Sequence, residues 1–79
     1  METAFVRDLV VVTVKKSYGD VIETKVVIRN KLKDFVEDAV ANYGKNIIVY
    51  YNKAYISSAG GIEGGEYLGQ IDIDTLINY

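Results

Sequence analysis

The chain has no cysteine, no histidine, no proline and no tryptophan. Without cysteine a disulfide framework is impossible, and without cysteine or histidine so is a zinc site built on thiolate or imidazole. A chain of 79 residues buries only about 60% of its unfolded surface, and small domains compensate with disulfides, metals, oligomerisation or tight packing. Only the last two remain here. The same absences bear on catalysis, because a nucleophile and its base would have to be drawn from Ser, Lys, Tyr or carboxylates. Ser57-Ser58 lacks the elbow sequence that strains a serine into reach. The expectation is a non-enzymatic protein with no cofactor and no metal.

Long apolar runs are also missing. The longest, Leu9 to Val14, is interrupted by Thr13, too short to span a membrane and too β-branched for a signal peptide. Met1-Glu2-Thr3 carries no basic leader. These features predict a cytoplasmic protein without a membrane partner. There is no linker, low-complexity tract or repeat, so residues 1–79 read as one domain.

Apolar residues make up 49% of the chain and charged residues 25%, the composition of an ordinary globular protein. Net charge is −2 and unevenly spread, since residues 1–53 hold all nine Lys and Arg against seven acids and residues 54–79 hold four acids and no base. The two parts are therefore +2 and −4, a bipolarity suited to association more than to a broad nucleic-acid footprint.

From Ala4 to Lys15 the chain reads as a strand with two apolar faces, Val10, Val12 and Val14 on one and Leu9, Val11 and Thr13 on the other. Arg7-Asp8 and Lys15-Lys16 bracket this Val-rich run as gatekeepers. Ser17 to Asp20 supplies turn chemistry, and Val21 to Arg29 returns as a second strand. Its pattern reads Ile22, Thr24, Val26 and Ile28 inward and Glu23, Lys25 and Arg29 outward. Asn30 is a good helix N-cap, and Leu32, Phe35, Val36, Ala39, Val40 and Tyr43 draw one apolar stripe down a helix ending at Gly44.

Asn46 to Tyr51 then reads as strand, Asn52-Lys53 as a tight turn and Ala54 to Ser58 as the returning strand, with Tyr50 facing Tyr55. That register sends Ile47, Val49, Tyr51, Ala54 and Ile56 to the core and Ile48, Tyr50 and Tyr55 to the opposite side. Ala59 to Gly65 reads as a glycine-rich loop, Glu66 to Ile73 as a last strand, and Asp74 as the cap of a short turn through Leu76, Ile77 and Tyr79. The fold class is α+β in ββαββ(β) order, with one helix packed on one face of the sheet. This element order is similar to that of the β-grasp class, to which ubiquitin belongs. A sheet completed by a second subunit gives the same pattern.

Four constellations could carry function. Ile48, Tyr50 and Tyr55 form a patch on the face away from the helix, and large amphipathic rings on such a face are typical of interface hot spots. Arg29, Lys31 and Lys33 crowd the helix start, where the macrodipole favours acids, and could hold an anion. Gly60, Gly61, Gly64 and Gly65 could form a lid; a phosphate-binding loop is disfavoured because Glu66 and Tyr67 follow them. Gly61-Ile62-Glu63-Gly64 matches the GxxG of KH domains in form, but lies between strands and carries a Glu. Asp72, Asp74, Glu63 and Glu66 read as a solvated acidic edge.

The leading expectation is a protein-interaction module, a homodimer that binds another protein through the Tyr50 and Tyr55 face or a sheet edge. Its size and charge suit an accessory or inhibitor protein encoded by a virus or mobile element. The alternative is a small-ligand or nucleotide-binding protein that uses the basic helix start and the glycine loop. Nucleic-acid binding ranks third, because an acidic chain lacks the phosphate-neutralising charge it requires.

Overall fold

The computed structural model describes residues 8–77. Ala4 to Arg7 and Tyr79, which the sequence assigns to the first strand and the terminal turn, lie outside the described residues. Strand β1 (Leu9–Lys16) turns through Ser17–Asp20 into β2 (Val21–Ile28). Lys16 and Asp20 close this hairpin with an N–H···O bond of 3.1 Å. A 3-10 turn (Arg29–Lys31) leads into helix α1 (Leu32–Tyr43), followed by β3 (Ile47–Ile56), β4 (Ile62–Ile71) and the short helix α2 (Ile73–Ile77).

The four strands form one sheet in the order β2-β1-β3-β4, and all three ladders are antiparallel. The α+β class and the ββαββ order are therefore as expected. Because β2 and β3 both run antiparallel to β1, they are parallel to each other with β1 between them. Parallel strands need a crossover rather than a hairpin, and α1 is that crossover, which is why it lies over β1. Val10, Val12 and Val14 of β1 and Val49 of β3 are fully buried under it, and Val36 and Ala39 are its own buried residues. Val27, Ile47 and Ile73 complete this core, with Leu32, Phe35, Val40, Tyr51, Ile71 and Leu76 packed at its margin.

The helix forms where its apolar stripe predicts, but its start differs. Asn30 falls inside the 3-10 turn, and Lys31 occupies the cap position without a side-chain hydrogen bond. The ladder explains this, since Arg29 N–H still donates to Asp8 at 2.7 Å and holds the chain to the sheet for one residue more. The other end is as expected: Gly44 has φ 83° and ψ −176° and its N–H donates to the Val40 carbonyl at 2.8 Å, a backbone conformation that glycine reaches without a Cβ clash.

Three expectations are overturned by register. In β2 the pairing Val10↔Val27 puts Val27, Lys25 and Glu23 on the helix side and Thr24, Val26 and Ile28 on the other. Both faces of β1 are apolar, so its pattern cannot say which face of β2 meets the helix. Next, Asn52-Lys53 is no turn: β3 runs unbroken to Ile56, so Tyr50 and Tyr55 are not cross-strand partners. The reversal comes at residues 57–61, where Ser57 donates to Gly61 at 2.8 Å and Gly60 takes φ 92°. A glycine with positive φ makes that bend more cheaply than Asn-Lys.

Finally, β4 begins at Ile62 rather than Glu66, so Gly64 and Gly65 are strand residues. Two register shifts in the β3–β4 ladder give β4 the extra residues that its glycines accommodate. At its far end, α2 is capped by Asp72 rather than Asp74. Thr75 donates to the Asp72 carboxylate through its hydroxyl at 2.9 Å and its backbone N–H at 3.3 Å.

Candidate functional site

Both helices pack on the Val10–Val12–Val14 side of the sheet. Among the described residues no helix covers the opposite face. Three registers fix what that face presents. Ile28, Leu9, Ala54 and Gly64 make one row across the strands; Val26, Val11, Asn52 and Tyr67 the next; Thr24, Thr13, Tyr50 and Gln70 the third. Ile48 pairs with Lys15 beyond the third row, and Ile56 with Ile62 beyond the first.

Within this face Leu9, Val11 and Ala54 form a second, smaller buried cluster. Gly64 lies against it, since a Cβ there would stand 3.5 Å from Asn52 Cβ and 3.6 Å from Val11 Cβ. Around the cluster the surface is apolar yet open to water. Val26, Ile28, Ile56 and Ile62 are all exposed, and Tyr67 keeps 58% of its surface. Tyr50 and Tyr67 lean together with ring centroids 6.1 Å apart and planes at 52°, a tilted arrangement that aromatic quadrupoles favour. Asn52 Nδ2 donates to the Gly65 carbonyl at 2.9 Å, satisfying backbone that the irregular ladder frees. The registered pairs bring one charge to this face, Lys15 at its end.

The expected patch is therefore divided. Ile48 and Tyr50 do share the open face, but alternation along the continuous β3 places Tyr55 on the side of Tyr51. There its hydroxyl donates to Glu63 at 3.2 Å, and that bond, with the carboxylate's charge, holds the phenol above its ordinary range. Tyr67 takes the place the sequence gives to Tyr55. It was hidden because β4 was expected to start one residue earlier than Tyr67, which leaves no partner row from which to assign its side. The sequence pattern likewise sends Val26 and Ile28 to the core, whereas their pairing with Val11 and Leu9 puts both on the open face.

The basic residues and glycines fall elsewhere. Arg29 and Lys31 lie in the 3-10 turn and Lys33 in the first turn of α1. Lys33 stands 4.0 Å from Glu37. A hollow of about 300 Å³ near the turn is lined by Asp8, Ile28, Arg29 and Asn30, which offers one cation and one carboxylate rather than a basic cluster. Gly60 and Gly61 belong to the β3–β4 turn, whereas Gly64 and Gly65 are held in β4.

A larger cleft, about 500 Å³, lies between the first hairpin and the end of α1, lined by Lys16, Ser17, Tyr18, Ile22, Tyr43, Asn46 and Ile47. Tyr43 at its edge donates to Glu23 at 3.4 Å, and desolvation, then the Glu23 charge, raises its phenol. Among the described residues, no three Asp or Glu converge as a metal site would require, and no helix is long and apolar enough to cross a membrane.

Set against protein-family models, curated proteins and solved structures, the chain matches none of them.

Proposed function

We propose that this chain is a non-enzymatic protein-binding module whose binding surface is the open face of its sheet. The observation that carries the reading is the exposure of Val26, Ile28, Ile56, Ile62 and Tyr67 together on one face. Single exposed apolar residues need no explanation, but a contiguous patch on a small domain marks an interaction surface. Tyr50 and Tyr67 supply the hot-spot chemistry, large rings that bury area at low rotamer cost. The partner this face fits is a protein surface that is itself apolar, with a carboxylate placed to meet Lys15. An accessory or inhibitory role, cytoplasmic and in company with a larger protein, is consistent with the chain's size and charge.

The test compares proteins captured by wild type, by Tyr50→Ser with Tyr67→Ser, and by Tyr18→Ser, which alters a fully exposed tyrosine on the hairpin turn. A partner retained by wild type and Tyr18→Ser but lost from the double variant supports the reading. Equal capture by all three removes it. A nucleotide that raises the melting temperature by mass action would instead favour a ligand-binding role.

A further inference from the structure

We infer that two copies of this chain pair edge to edge through β2, around a two-fold axis at Thr24, to make one continuous eight-stranded sheet. The inference goes beyond the reading of the open face as a protein-binding surface: it places self-association at an edge and leaves that face free.

Strand β2 ends the sheet, and nothing among the described residues pairs with its outer side. The ladder shows which of its backbone groups point outward. Arg29 N–H donates to Asp8, so the odd residues of β2 bond to β1 and Thr24, Val26 and Ile28 direct their N–H and C=O groups away from the sheet. An exposed edge of this kind templates pairing with another chain unless it is blocked by proline, a bulge or charge. The strand holds no proline, and its one register shift lies at Ile22, leaving Glu23 to Ile28 regular.

Its charges are arranged to direct pairing. The segment Glu23-Thr24-Lys25 is matched to its own reverse. An antiparallel pair centred on Thr24 sets Thr24 opposite Thr24 and Glu23 opposite Lys25 twice over, within the part of the strand that the shift at Ile22 leaves regular. Thr24 then exchanges two N–H···O=C bonds with its copy. Glu23 and Lys25 fall at the non-hydrogen-bonded positions, where side chains approach most closely.

Other centres are worse. An axis at Glu23 or Lys25 sets like charges face to face, and one at Ile22 sets neither charge against its opposite; one at Val26 leaves Lys25 opposite Val27 and meets Glu23 only with Arg29, which lies beyond the strand in the 3-10 turn. Among the described residues no carboxylate lies within ion-pair distance of Lys25. The other edge, β4, carries Glu63 and Glu66 and no base, so two copies joined there would bring together acids alone. The pairing is isologous and closes at two copies.

Light scattering over a dilution series tests this on wild type, Glu23→Lys, Lys25→Glu, the Glu23→Lys/Lys25→Glu exchange and Thr24→Pro, with circular dichroism to confirm folding. Wild type should approach twice 8.8 kDa. Each single reversal should weaken association roughly tenfold to a hundredfold, since it turns two attractive pairs into two repulsive ones. The exchange should restore the dimer. Thr24→Pro removes an outward N–H that pairs with no described strand and should give a folded monomer.

A wild-type monomer, mass that climbs past two copies, an exchange that stays monomeric, or single reversals that remain dimeric would each overturn the pairing. So would a dimer broken by Tyr50→Ser with Tyr67→Ser but not by the reversals, because association would then run through the open face. Partner capture by the Lys25→Glu monomer reports on the open face separately, so the two readings can fail independently.

Discussion

Tyr50 and Tyr67 meet across the β3–β4 ladder at 6.1 Å between ring centroids, on the face of the sheet that neither helix covers. The pair stands beside, not within, the buried cluster of Leu9, Val11 and Ala54. Its rings should therefore matter more to binding than to folding. Tyr67→Ala should cost at most about 1 kcal/mol in urea unfolding, the scale of one aromatic pair. A loss above about 3 kcal/mol would show that Tyr67 is a core residue and withdraw it from the binding surface.

The two faces of the sheet predict opposite sensitivities. Val12 is fully buried beneath α1, whereas Val26 on the open face is 38% exposed. Val12→Ala should destabilise by about 2 kcal/mol, from lost transfer energy and the cavity left in a packed core. Val26→Ala should stay within about 0.5 to 1 kcal/mol. Equal losses would mean that Val26 is covered in solution, across the open face or at the β2 edge.

The legible part of this fold was the part with strong periodicity. Leu32, Phe35, Val36, Ala39 and Val40 repeat at helical spacing and end at Gly44, and the helix is where they place it. The hairpin before it was equally plain. Strand faces were not, because β1 is apolar on both sides and register alone decides which side the helix takes. Asn52-Lys53 resembled a turn only locally; in the sheet Asn52 is spent on the Gly65 carbonyl, and the bend moves to Gly60. One residue of the expected patch moved sides as a result, so Tyr50 was found and Tyr67 was not.

Two glycines should answer in opposite directions to the same substitution. Gly44 has φ 83° and ψ −176°, a region all but closed to a residue with a Cβ, so Gly44→Ala should cost about 1 to 3 kcal/mol. Gly64 has no such constraint, and a Cβ there meets Asn52 and Val11 at ordinary contact distance. Gly64→Ala should be neutral or stabilising by up to about 1 kcal/mol, through lower entropy of the unfolded chain. Thermal melting of both variants checks the pair, and marked destabilisation by Gly64→Ala would contradict the packing described for the open face.

Acid should expose the cap of α2. The Thr75 hydroxyl and then its N–H, bonded to the Asp72 carboxylate, hold that group below its ordinary range, against a small opposing effect of desolvation. A carboxyl group whose folded pKa is depressed contributes stability that is present above its unfolded value and is lost as pH falls through the folded one. Asp72→Ala should therefore destabilise the protein at pH 7 by loosening α2, which holds Ile73 and Leu76 against the core. The gap between wild type and variant should shrink in urea melts taken at successively lower pH below the ordinary aspartate range, as the wild-type carboxylate takes up its proton. A gap that is unchanged across that range would mean that Asp72 acts through packing or backbone geometry rather than through its charge.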